Sequence, residues 1–241
     1  MTHFLTRLPV RLALLSAIAL GVVGCSIAPP AQFYQLQQSA VDTESRNNNA
    51  TVLLGPLKIA DYLQRESMLQ RQLDESLTLS DSARWAGSLQ DDIGQLLLRQ
   101  ISTQLGSSRI SLYPDRVGMQ AQAQVVLSIS RLDSGVEQPA VLEAQWRLLD
   151  AKGELRNSRV VRFEEAHDGT VADQVRAQSD VLAQLSQQLV RALHEQLLTS
   201  VKKDTGKTSQ RARPQKPEGQ QGETISIPVV EPVREQDVYR F

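Results

Sequence analysis

One cysteine in 241 residues excludes a disulfide framework and any thiolate metal cluster, so the chain has to rest on a packed core. Histidine is nearly as scarce, with three, and one of these, His3, precedes the first apolar run. His167-Asp168 falls in the turn before the last long helical pattern. His194-Glu195 falls near that pattern's end, where a partly charged imidazole suits the helix dipole; solvated surface roles are expected for both. No Gly-x-Ser-x-Gly elbow, phosphate-binding loop, His-Glu-x-x-His or paired-cysteine motif occurs. A Ser/His/Asp triad assembled from distant residues is left open, but the expectation is no enzyme, no cofactor and no metal. The formal net charge of −1 lacks the basic footprint of a nucleic-acid partner. No apolar run approaches the roughly 20 residues of a membrane-spanning helix.

What is present is organised around that one cysteine. Leu12 to Val23 is an apolar run of 12 residues preceded by Arg7 and Arg11 and no acid, the pattern of an export signal. Its end, Val22-Val23-Gly24-Cys25, resembles the lipobox of bacterial lipoprotein precursors. That resemblance implies cleavage before Cys25 and acylation of its thiol with diacylglycerol and palmitate-type chains, a firm membrane anchor. Ser26, not aspartate, follows the cysteine, which by the enterobacterial sorting rule points to the periplasmic face of the outer membrane. Cleavage removes two arginines and leaves 24 basic against 27 acidic side chains.

Residues 25–50 are rich in proline, glutamine and asparagine and read as a lipidated tether. Phe33-Tyr34-Gln35-Leu36 is out of character there, either a segment that docks on the domain or chance aromatics in a linker. The domain is expected over 51–199. It opens with a strand, Val52 to Ile59, broken at Gly55-Pro56 as at a bulge or an edge, and Leu77 and Leu79 suggest a hairpin arm. Ser88 caps a helix whose Leu89, Ile93, Leu96, Leu97, Ile101 and Leu105 share one face, and Gly106 stops it. Arg109 to Tyr113 is a short strand. Alternation over 125–130, 142–148 and 155–165, with a turn at Asp150 to Gly153, predicts antiparallel strands with one buried face. Thr170 then caps a helix to about Thr199, with an apolar stripe that Gln178 interrupts. This order predicts an α+β fold, a largely antiparallel sheet with two amphipathic helices packed on one face. Residues 200–241 are expected as a disordered tail; within it Thr224 to Val230 is suited to adding a strand to an open edge, and Tyr239-Arg240-Phe241 is similar to the terminal signal of outer-membrane barrel proteins.

Four features in order carry a family resemblance: Phe33-Tyr34-Gln35-Leu36 soon after the lipobox, Leu57 to Arg65 with its Tyr62-Leu63-Gln64-Arg65, Ala83-Arg84-Trp85-Ala86, and the amphipathic helix directly after it. Together they resemble the ABC-type transport auxiliary lipoproteins, the PqiC-like family. The resemblance implies a non-enzymatic docking component of an MCE-type intermembrane phospholipid transport system, with an MCE-domain protein and inner-membrane transport components as partners and a homo-oligomer as a plausible matching ring. Tyr62, Arg84 and Trp85 are the candidate partner contacts. The competing reading of Trp85 is a hydrophobic staple at the start of the helix with Arg84 packed beside it, and Tyr62 carries the same ambiguity. The competing function is an accessory lipoprotein of an outer-membrane β-barrel assembly or lipopolysaccharide-export complex.

Overall fold

The computed structural model describes residues 30–37, 49–115 and 118–211, with side chains through 199. The export signal, Cys25, most of the tether, the Thr224 to Val230 segment and the C-terminal aromatics lie outside the described residues. The chain divides into two units at Val201/Lys202, and both sheets belong to the first.

The α+β class expected from the sequence holds, with the strands divided between two mixed sheets. The larger takes the order β5-β2-β6-β7-β8, from β5 (Ile110–Leu112), β2 (Val52–Ile59), β6 (Ala123–Asp133), β7 (Ala140–Asp150) and β8 (Leu155–Glu165). Its β6-β7-β8 meander is antiparallel, as the alternation requires, while β2 lies parallel to both β5 and β6. Ala123, Val125, Leu127 and Ile129 of β6 and Leu142, Ala144, Trp146 and Leu148 of β7 are buried; Ser128, Ser130, Gln145 and Arg147 on the reverse face are exposed. The period of two has thus set one dry and one wet face.

The helices close the dry face. α1 (Leu89–Leu105) buries Leu89, Ile93, Leu96, Leu97, Ile101 and Leu105. The Asp91 N–H donates to Ser88 Oγ at 3.2 Å, and Gly106 ends the helix in the left-handed region at φ 62°, the conformation a residue without Cβ adopts most cheaply. α2 (Val171–Arg211) buries Val175, Leu182, Leu185, Leu189 and Leu193. The Asp173 N–H donates to Thr170 Oγ1 at its start. Its end lies at Arg211 rather than the expected Thr199. No described helix is long and apolar enough to cross a membrane.

The smaller sheet has the order β1-β4-β3, from β1 (Gln32–Tyr34), β3 (Ser67–Arg71) and β4 (Leu77–Trp85). β3 and β4 form the hairpin anticipated around Leu77 and Leu79. β1 lies parallel to β4, with Phe33 opposite Arg84. The Phe33 to Leu36 segment therefore docks: Leu36 is 5% exposed, its N–H donates to Asp92 Oδ2 at 2.8 Å, and the Gln37 N–H donates to Ser179 Oγ at 3.0 Å. Only the stretch before Gln32 separates Cys25 from the fold.

Candidate functional site

Two features meet near Tyr62. The first is a buried ionic brace. Asp133, at the end of β6, is 1% exposed and accepts four hydrogen bonds. Arg71 of β3 gives two, Nε to Oδ1 at 2.9 Å and Nη2 to Oδ2 at 2.7 Å. The Tyr62 hydroxyl donates at 2.8 Å and Arg131 Nε at 2.9 Å. Glu75, in the β3-β4 turn, pairs with both arginines on the solvent side. Burial alone would raise the Asp133 carboxyl, but the hydrogen bonds from Arg71 and Tyr62 and the charge of Arg131 outweigh it and hold the group below the usual carboxylate range. Burial, then the bond to Asp133, pushes the Tyr62 phenol up. The bond to Asp133 likewise raises the Arg71 guanidinium. Beside this brace the two sheets touch in their backbones, the Arg71 N–H donating to the Ser134 carbonyl at 2.8 Å.

The second feature is a cleft of about 700 Å³ between the kink of β2, the end of β5 and the first turns of α1. Its floor is apolar (Leu57, Leu112, Pro114) and its rim carries Lys58, Asp61 and Gln64. Gly55-Pro56 creates it: the register of β2 against β6 slips between Leu54 and Leu57, and Gly55 sits at φ 116° where a Cβ would come within 2.9 Å of Tyr113 Cβ. The missing side chain lets β5 close against the bulge. No serine, cysteine, threonine or histidine lines this cleft. It offers an apolar wall and amide donors and acceptors to a bound segment.

The three residues expected to contact a partner do not converge on one surface. Tyr62 stands in a 3-10 turn, Asp61–Leu63, between cleft-rim residues Asp61 and Gln64, with its hydroxyl turned inward to Asp133. Trp85 is 7% exposed and belongs to the core; with Tyr62, Leu132 and Gln178 it lines a small crevice under the 3-10 turn. Arg84 points to the other side of β4, where Nη1 donates to Ser67 Oγ at 2.7 Å. Trp85 is thus a core side chain, and Arg84, next to it in sequence, lies on the opposite face of β4.

Reasoning on sequence missed the Asp133 brace altogether, because its members are separated by as many as 71 positions and no local pattern joins them. His167 is more integrated than a solvated histidine: the Gly169 N–H donates to Nδ1 at 3.0 Å, which makes Nε2 the donor to the Gln138 carbonyl at 2.9 Å. It pins the loop before α2 to the β6-β7 loop. Among the described residues no group of histidine, cysteine and carboxylate side chains is arranged to hold a metal ion.

Two solved structures share this arrangement. A crystal structure of an uncharacterized protein aligns with a TM-score of 0.56 at 17% identity, over 68% of this chain and 99% of its own. A Xanthomonas campestris protein of the DUF330 family aligns with a TM-score of 0.60 at 13% identity, over 71% and 99%. At these identities the likeness is one of fold. Among curated proteins none matches in sequence. The model of the ABC-type transport auxiliary lipoprotein component matches residues 34–190, from the docked N-terminal segment through the buried part of α2, and by that match the chain belongs to the ABC-type transport auxiliary lipoprotein family.

Proposed function

We propose that the protein is anchored by acylated Cys25 at the periplasmic face of the outer membrane and serves as the docking component of an MCE-type phospholipid transport system. The observation that carries this reading is the family match over residues 34–190, a transport component rather than a catalyst. Ser26 after the cysteine supports the outer membrane as the destination. Acyl chains need a shielded path across the periplasm, since each CH₂ exposed to water costs about 0.8 kcal/mol; a transport tube therefore has to end against something fixed at the membrane.

The surface proposed for the partner is the cleft beside the Tyr62 turn. An extended or helical segment fits between its apolar floor and its rim of charged and amide side chains. Tyr62 and Trp85 act here as positioning residues, since they hold the turn that carries Asp61 and Gln64. The test is capture. Full-length protein with a photo-crosslinking residue at Gln64, solubilised from its native membranes, is expected to join covalently to an MCE-domain protein. Recovery of a β-barrel assembly in its place would replace this reading with the barrel-accessory one.

A further inference from the structure

β1 changes the meaning of the tether. Read from sequence, residues 25–50 are a tether in which Phe33 to Leu36 either docks or is a chance aromatic run; in the fold, Gln32–Tyr34 is a strand and Leu36 is buried. Only seven positions separate Cys25 from Gln32. At the 3.3 to 3.6 Å that a fully extended residue spans, the start of β1 stays within about 25 Å of the acylated cysteine. A headgroup layer of about 5 to 7 Å lies between the hydrocarbon and water, so β1 can stand no more than about 20 Å off the membrane surface and is able to reach it.

The side chains of β1 fit that position. Tyr34 turns inward and packs against the core. Phe33 turns the other way and is 67% exposed, on the outer strand of its sheet. In register opposite it stands Arg84, a guanidinium with Nη1 committed to Ser67 Oγ and the Ser80 carbonyl. An exposed aromatic ring beside an arginine is the pairing that suits a bilayer interface, the ring among the upper acyl segments and the cation at the phosphates.

We infer that Phe33, with Arg84 beside it, is a second membrane contact, which inserts at the phospholipid interface and lays the β1 edge of the small sheet against the bilayer. The inference rests on Cys25 being the lipid anchor, but not on any protein partner. It gives the domain a fixed orientation: the β1 edge lies at the lipid, and the β3-β4 hairpin tip, with Leu73 68% exposed, lies at the far end of the same sheet.

The test uses the full-length acylated protein in vesicles of phosphatidylethanolamine and phosphatidylglycerol, with or without bromine on the acyl chains. The native tryptophans, Trp85 and Trp146, are 7% and 1% exposed and give a shielded background. Phe33→Trp is expected to add a blue-shifted emission that brominated chains quench, and Leu73→Trp an emission that they leave unchanged. Absence of quenching in Phe33→Trp, or equal quenching in both variants, would overturn the inference. Intact mass separates the two layers: a mature chain without acyl groups overturns the anchor and this inference together, whereas an acylated chain with an unquenched Trp overturns the membrane contact alone.

Discussion

A carboxylate 1% exposed is tolerated because every direction of approach to it is filled by a donor. Asp133→Ala would leave Arg71 and Arg131, whose side chains are 13% and 16% exposed, with only the solvent-exposed Glu75 as counter-charge, a loss of about 3 kcal/mol. Urea denaturation would read it, and a midpoint unchanged from the parent would dismiss the brace as decoration. Tyr62→Phe removes one hydrogen bond to a charged acceptor and is expected to cost less, about 1.5 to 3 kcal/mol. The sign of the pH dependence follows from the depressed carboxyl. In the unfolded chain Asp133 titrates near the ordinary value of about 3.9; folded, it titrates lower. Its stabilisation is complete above the unfolded value and is lost as pH falls through the folded one. Asp133→Asn is therefore expected to be less stable than the parent at neutral pH, with the gap narrowing as acid protonates the parent's carboxyl; a gap that held constant to low pH would contradict this.

At the scale of elements, what could be read from sequence is what is local. The bounds of α1 followed from Ser88 and Gly106, and the β6-β7-β8 meander from strict alternation and the Asp150 turn, because caps and turns act within a few residues. The parallel pairings of β1 with β4 and of β2 with β5 and β6 leave no such trace, and they are the reason for two sheets rather than one. The end of α2 was misplaced for a related reason. The expected end followed the apolar stripe to Leu197; the stretch 200–211 contains Asp204, Gly206 and four serines or threonines, so local propensity does not announce the helix that continues through it. The join between the sheets is equally invisible from sequence, and it turns on Gly135: a Cβ there would lie 1.9 Å from the Arg71 carbonyl oxygen, inside any permitted contact. Gly135→Ala is thus expected to push β3 off β6 at a cost of about 1 to 3 kcal/mol. Hydrogen exchange would locate the damage, with the Arg71 amide, bonded to Ser134 in the parent, losing protection while those of the β6-β7 ladder keep theirs. Uniform loss across both sheets would mean that the sheets do not separate as units.

For the whole molecule, anchoring and folding are separate tasks laid end to end along the chain. The core closes between Leu36 and Leu193, while the proposed anchor depends on a thiol at position 25 with a 12-residue apolar run before it. In the proposed anchoring the Cys25 thiol is the nucleophile that would take the diacylglyceryl group, before cleavage by the lipoprotein signal peptidase that the lipobox resemblance implies. Cys25→Ser removes the nucleophile without touching the core. The expected product is a precursor that retains residues 1–24, lacks acyl mass, and stays with the inner membrane through its uncleaved apolar run; its folded domain melts at the parent's temperature because no residue of the core has changed. Mass spectrometry of the membrane fraction and a thermal melt of the solubilised protein check both halves. A cleaved, acyl-free chain released into the periplasm would mean that an ordinary signal peptidase processes this sequence, which would remove the anchor, the short reach from Cys25 to β1, and the reason for placing Phe33 in lipid.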